Sequence, residues 1–231
     1  MERLFYSIKE AFRLIITLDS EMLGIVSLSL GVSIAAICFA SLAGIVLAYA
    51  LAFRKVPLKA FVVSTMNTFM GLPPVVVGLV LYLLLSRSGP MGFMKLLYTP
   101  YAMVIAQVLL ALPIITAMSH ASLVAVRPAI KYAAKGLGAS DAQASIAVVR
   151  YARYGIISSV MAGLGRVMAE VGAVLIVGGN IAGYTRVMTT TIALEYDKGN
   201  FELAIALGII LLLIALILNS ALYMYQRKVY R

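Results

Sequence analysis

Arg166 and Glu170 stand four residues apart in a run, Gly155 to Gly178, that otherwise carries no charge. If the run is one helix, that spacing puts both on one face, with Ser158, Ala162 and Val174 along the same stripe. A charge at the centre of a membrane helix costs about 2.5–3.5 kcal/mol, so both side chains belong against a bundle interior or a wet cavity. Two chemistries fit. One is a buried ion pair that fixes helix rotation. The other is a transient positive site for a passing anion, with Glu170 weakening Arg166 enough to prevent a trap.

Three further constellations stand out. Pro73-Pro74 interrupts the apolar run Ala60 to Leu85, removing two successive N–H groups and the partners of carbonyls one turn earlier. Such a break survives where protein or water satisfies it, and a simple proline kink is the alternative; the lone Pro113 reads as a kink. The segment from Gly178, Gly179 and Asn180 through Gly183 to Thr185 and Arg186 offers glycine-rich backbone amides and one cation to an anion. Its bland alternative is a tight connection into an amphipathic helix from Thr189 to Tyr196, ended by Gly199-Asn200. Finally, Arg127 to Arg153 is basic and turn-punctuated around Ala133, Ala134, Gly138, Ala139 and Ser140. Pro128 suits a first helical position, Gly138 a left-handed C-terminal cap, and Ser140 with Gln143 a capping box, which together predict two short helices joined at a glycine.

The elements that position these groups follow from composition. The chain is 63% hydrophobic over 231 residues, with 19 Lys and Arg, 9 Asp and Glu, and a net charge of +10. A soluble domain of this length could not hide so much apolar surface, so an all-α polytopic membrane protein is expected. Five runs reach the roughly 20 apolar residues needed to cross a bilayer: Met22 to Phe53, Ala60 to Leu85, Pro100 to Met118, Gly155 to Gly178 and Leu203 to Gln226. Residues 1–21 precede them as an amphipathic segment, with Leu4, Ile8, Phe12 and Ile15 on one face and Arg3, Lys9, Glu10 and Arg13 on the other, suited to the membrane interface. The first apolar run is too long for a signal peptide, so this segment is expected to be retained. Residues 22–231 then form one transmembrane domain, with the glycine-centred loop at 127–154.

Charge sets the orientation. With the N-terminus outside, the inner segments hold Arg54, Lys55, Lys59, Arg127, Lys131, Lys135, Arg150, Arg153, Arg227, Lys228 and Arg231 against Asp141 alone, while the outer segments balance. The cationic bias of cytoplasmic loops therefore predicts N-outside, C-inside in the cell membrane. Cys38 and His120 are the only residues of their kinds, so no disulfide or metal constellation is expected. No phosphate-binding glycine loop and no paired acids in a cleft point to catalysis. Gly163-Leu164-Gly165 lacks a third glycine and a preceding strand, and reads as close helix packing. The basic surface flanks spans without any recognition module, so nucleic acid is not an expected partner.

The glycine-centred loop resembles the coupling loop of ABC-importer permeases, whose pattern is Glu-Ala-Ala, three residues, Gly, nine residues, Ile, one residue, Leu-Pro. Ala133, Ala134 and Gly138 match and Val148 stands at the Ile position, whereas Tyr132 replaces the Glu and Arg150-Tyr151 the Leu-Pro. Glu170-Val171-Gly172-Ala173 and the block from Val177 to Thr190 are similar to tungstate-type permeases. Gly71 to Leu79 is similar to a segment shared by tungstate, molybdate and sulfate permeases. The resemblance implies a type I permease fold of five transmembrane helices and a homodimer with the pathway at its two-fold interface. It implies cytoplasmic ABC ATPase subunits that hold ATP and Mg, with no cofactor or catalytic residue in this subunit, and an extracytoplasmic oxyanion-binding protein. Ala133, Ala134, Gly138, Ala139 and Ser140 would contact the ATPase. Pro73, Pro74, Arg166, Glu170 and Gly172 would belong to the pathway or gate, and Gly178, Gly179, Asn180, Thr185 and Arg186 to the outer loop. Tungstate is the implied cargo, with molybdate, sulfate or another solute as the alternative. A secondary transporter or channel would be expected to show inverted repeats, and none is evident. Moving an anion inward against a negative interior costs about 2.3 kcal/mol per charge per 100 mV, so a doubly charged oxyanion needs coupled energy.

Overall fold

Inside a bilayer the backbone has no water to bond, so apolar runs become helices that satisfy their own N–H and C=O groups. The computed structural model describes residues 2–17 and 19–227. Lys228 and Arg231 of the basic C-terminus lie outside the described residues, as do the side chains of Arg3, Leu4 and Arg227. The described chain runs α1 (Glu2–Thr17), α2 (Ser20–Phe53), α3 (Lys59–Phe69), α4 (Pro74–Leu85), a 3-10 turn (Gly92–Met94), α5 (Pro100–Gly136), α6 (Asp141–Met168), α7 (Gly172–Gly178), α8 (Met188–Lys198) and α9 (Phe201–Arg227). Three helices, α2, α5 and the Phe201–Ala221 part of α9, are long and apolar enough to cross a membrane alone; counting the bent pairs α3 with α4 and α6 with α7 as one span each gives five.

Two expectations are corrected. The glycine-centred loop does not consist of separate short helices, because α5 runs unbroken through Pro113 and Pro128 to Gly136, and α6 continues from Asp141 to Met168. At 37 residues α5 rises about 55 Å, far more than the roughly 30 Å of a hydrocarbon core, so the arm is the emergent end of a span. Pro128 is tolerated there. The carbonyl deprived of its N–H belongs to Val124, which is 41% exposed. The second correction concerns the fourth run, which is broken after Met168, so Arg166 and Glu170 do not share one helix face. Likewise Pro73-Pro74 is more than a kink: α3 ends at Phe69, Pro73 is the extended cap of α4 at φ −65° and ψ 121°, and Pro74 occupies its first position.

The chain packs as two compact units, one drawn from the segment ending at Ala36, from Pro73–Gln107 and from Met168 onward, the other from Ile37–Leu72 and Val108–Val167. In the first, α1 lies against α9: Ala11 is fully buried with Met22, Ile25, Met188, Ala206 and Leu207, and Leu14 and Ile15 close over them. The α1 seam is therefore shifted from the expected stripe, and Phe12 is 51% exposed. In the same unit α4 and α7 meet at Gly78, where a Cβ would stand 2.9 Å from the Ala173 Cα. In the second unit Ala48 and Ala52 of α2, Leu123 of α5 and Val148, Ala152 and Ile156 of α6 form the core. Between membrane helices the attraction is close contact rather than exclusion of water, which explains the small residues. Gly163 fits the packing expectation, since a Cβ there would come within 2.9 Å of Ile115 Cγ1; Gly165 faces open space.

Candidate functional site

The hairpin between α5 and α6 is closed by local chemistry. Gly138 sits at φ 82°, its N–H donates to the Lys135 carbonyl at 2.9 Å, and the Ala139 N–H donates to the Ala134 carbonyl at 3.0 Å, the paired bonds of a Schellman stop. The Ser140 N–H donates to Gln143 Oε1 at 2.8 Å and the Gln143 N–H to Ser140 Oγ at 3.3 Å, which is the expected capping box. Lys131 and Lys135 on one arm reach Asp141 on the other at 3.4 and 3.1 Å. The Lys135 hydrogen bond, followed by its charge and the same contributions from Lys131, holds the Asp141 carboxyl below its ordinary range. At the base of the hairpin Arg127 donates to the Ala52 carbonyl at 2.8 Å and lies 5.8 Å from the Phe53 ring centroid, a cation set on the carbonyl end of α2. Tyr132, Leu137, Ile146 and Tyr151 are exposed, with Leu137 90% so. Leu137 stands at the turn and Tyr132, Ile146 and Tyr151 on its arms, so the hairpin carries exposed apolar side chains with basic residues around them.

Each of the two chain breaks meets a charged side chain, Arg166 partly buried and Glu170 buried. In the second unit, Arg166 in the last turn of α6 donates to the Leu72 carbonyl at 3.4 Å, where the proline pair has ended regular bonding after α3. In the first unit, Glu170 is 2% exposed and its Oε1 accepts the Ala173 N–H at 2.9 Å, capping α7. The Glu170 carbonyl accepts the Thr189 hydroxyl at 2.7 Å, which ties the break to α8. Gly172 leaves room for this: a Cβ would approach Val75 Cγ2 to 2.9 Å. Glu170 thus caps a helix and Arg166 reaches the connection between α3 and α4, uses that linear spacing did not suggest.

In the loop between α7 and α8, Gly179 and Gly183 take the left-handed backbone at φ 72° and 70°, and Asn180 does so at 50°. Most of the amides expected to be free are engaged. The Gly179 N–H bonds the Leu175 carbonyl, the Thr185 and Arg186 N–H groups bond the Ile181 carbonyl, and the Ile181 N–H bonds Thr185 Oγ1. Thr185 is buried, and its hydroxyl also donates to the Gly178 carbonyl at 2.6 Å. Arg186 lies just before α8 with its side chain 18% exposed, its Nη1 standing 3.9 Å from Glu21 Oε1. The helix that follows ends at Gly199, φ 75°, as the sequence indicates.

Sequence reasoning missed Glu195. It is 5% exposed on α8 and takes Lys198 Nζ at 2.9 Å and Asn200 Nδ2 at 2.8 Å, so it locks the turn into α9. The Lys198 hydrogen bond is the main reason its carboxyl lies below the ordinary value; burial opposes it, and Asn200 and the nearby charges of Lys198 and Arg186 add to it. The three-residue spacing of Glu195 and Lys198 was the available signal. Ser29 was also missed. Its hydroxyl accepts the Met188 N–H at 2.7 Å, capping α8 from across the first unit, and no local pattern announces that.

In the first unit, Tyr82, Arg87, Lys95 and Tyr98 line a cavity of about 1100 Å³ over the 3-10 turn. Burial, then the neighbouring Tyr82, raises the Tyr98 hydroxyl above its ordinary range. Among the described residues no group of three or more His, Cys, Asp or Glu side chains could hold a metal ion.

Comparison with known proteins follows the same lines. Residues 40–231 match the profile of the family described as binding-protein-dependent transport system inner membrane component. The chain is 44% identical over 204 residues to a probable anion ABC transporter permease protein of Haloferax volcanii, covering 86% of this chain and 88% of that one. It is 37% identical over 228 residues to the tungstate uptake system permease protein TupB of Peptoclostridium acidaminophilum, covering 99% and 100%. A solved amino acid ABC transporter superposes with a TM-score of 0.71 at 19% identity over 94% of this chain and 98% of its own, a likeness of fold.

Proposed function

Because the chain belongs to the family of binding-protein-dependent transport system inner membrane components, we propose that it is the permease subunit of an ATP-driven importer whose cargo is tungstate. It is a multi-pass membrane protein of the permease fold. An ATPase and a binding protein are its partners, and ATP hydrolysis resides in the separate ATPase subunit. The observation that carries the cargo is identity to a tungstate uptake permease along essentially the whole chain, outer loop included. The α5–α6 hairpin supports the coupling role: a turn held by two sets of caps and a Lys131–Asp141–Lys135 bridge is stiff, and its exposed Leu137 and Tyr132 supply contact area.

Two copies of the chain form the transporter in this proposal, with the pathway between them. The N-terminus faces outward, because the opposite orientation would translocate the eleven cations named above. The cargo is tested by reconstituting the permease with its ATPase and binding protein in vesicles: ATP-dependent accumulation of tungsten is expected, with at most weak competition from sulfate. Preferred uptake of sulfate or molybdate would remove tungstate as the cargo. Orientation is read separately from single cysteines in a Cys38→Ser background. An impermeant maleimide added outside should label Ser88→Cys and spare Ser140→Cys, both exposed positions, and the reverse pattern would invert the topology.

A further inference from the structure

A partly buried arginine needs acceptors, and Arg186 has few. Its guanidinium offers five N–H donors in a planar fork. Among the described residues its Nε is buried without a hydrogen-bond partner, and its Nη1 is 3.9 Å from Glu21 Oε1, beyond hydrogen-bond reach. Glu21 is itself 70% exposed in the first turn of α2, so solvent weakens its hold on the cation. The other carboxyl whose charge is felt here, Glu195, is already occupied by Lys198 and Asn200. The turn thus holds an arginine with a donor that the described chain leaves unsatisfied, beside a tip, 181–184, that is exposed.

We propose that Arg186 is the residue by which the permease first takes hold of a tetrahedral oxyanion dianion at the outer face, with Glu21 as its displaceable counter-charge. The inference rests on the oxyanion-import reading above and adds to it the contact residue. The fork geometry suits an oxyanion, which accepts two parallel N–H bonds as a carboxylate or phosphate does. The local charges of Arg186, Lys198, Glu21 and Glu195 cancel, so the dianion meets a directed donor set without a strongly positive well. Glu21 swings toward solvent as the anion arrives and returns when it leaves, which keeps the contact weak enough for onward passage. The alternative use of the same contact is a tether between the outer loop and α2, in which case the two partners would be equivalent.

That difference decides the test. Vesicles containing permease, ATPase and binding protein are assayed for tungsten uptake against the concentration of tungstate-loaded binding protein, alongside ATPase stimulation and the amount of assembled complex. For Arg186→Gln, uptake per assembled complex is expected to fall by about 10-fold or more, the scale of a lost charged hydrogen bond, while stimulation of ATP hydrolysis persists. Arg186→Lys is expected to keep the charge, lose the fork and fall between. Glu21→Gln should change uptake in the opposite direction, lowering the half-saturating concentration by about 3-fold, the scale of one exposed ion pair. Equal losses in Glu21→Gln and Arg186→Gln would mean a tether and overturn the proposal, as would wild-type uptake by Arg186→Gln. If Arg186→Gln does not assemble, Glu21→Gln decides alone by its sign. A wild-type complex that accumulates tungstate, molybdate and sulfate not at all overturns the oxyanion reading itself, and this inference with it, which is a distinct result from wild-type uptake with an indifferent Arg186→Gln.

Discussion

Glu170→Leu is expected to lower the stability of the assembled permease by about 2–3 kcal/mol, because it leaves the Ala173 N–H buried without its acceptor inside the membrane domain. Leucine fills nearly the same volume, so the loss is of hydrogen bonding rather than of packing. Glu170→Gln keeps an oxygen at the same place and should recover more than half of the difference. Thermal midpoints of the purified complex would show a drop of about 5 °C or more for leucine and a smaller one for glutamine. Equal drops would mean that the charge, not the cap, is what α7 needs. The Arg166→Met, Glu170→Leu double variant then separates structure from transport: wild-type tungsten uptake per assembled complex would eliminate a pathway role for the two side chains. Complex that assembles but carries nothing would support that role.

At Gly138 the expected loss is of function at nearly normal abundance. A Cβ there would meet nothing within 4 Å, so replacement is limited only by the backbone at φ 82°. Left-handed backbone costs a non-glycine residue about 1–2 kcal/mol, least for asparagine, whose side chain bonds locally, and most for a β-branched residue. ATPase stimulation by loaded binding protein should therefore decline in the order Gly138→Asn, Gly138→Ala, Gly138→Val, with valine close to uncoupled. The order is independent of bulk, since asparagine is larger than alanine. A decline that followed side-chain size would place the cost at the docking partner instead of in the hairpin. Full coupling in Gly138→Val would show that the turn's geometry is not what the partner reads.

The two variants probe opposite ends of what was legible. Class and membrane spans could be read because a bilayer admits so few structures: an apolar run of sufficient length has to be helical. The Gly138 stop and the Ser140–Gln143 box were legible because each involves residues within five positions of one another, where spacing alone fixes geometry. The two arms of the hairpin were misread for a related reason. Pro128 and the charges around it are local signals of an end, and nothing local reveals that α5 runs on unbroken past them with the orphaned Val124 carbonyl on an exposed residue.

Family membership was carried by residue patterns alone, in Ala133, Ala134 and Gly138 and in the block from Val177 to Thr190. The chemistry of the site was not. Arg166 and Glu170 stand at helical spacing, yet α6 stops between them, and each also bonds backbone at a break: Arg166 donates to the Leu72 carbonyl, and Glu170 accepts from the Ala173 amide. Arg186 facing Glu21, and Ser29 capping α8, join positions that are remote in the chain. Such pairings depend on which helices the fold lays side by side, and that is settled by close contact of small residues such as Gly78 over Ala173 and Gly163 over Ile115. The sequence by itself determined the helical membrane class, the turns at Gly138 and Gly199, and which family the chain belongs to, since those follow from short-range patterns and the demands of lipid. Only the tertiary structure decided which buried polar groups are satisfied and which, at Arg186, are left open, because satisfaction is a property of neighbours that packing alone brings together.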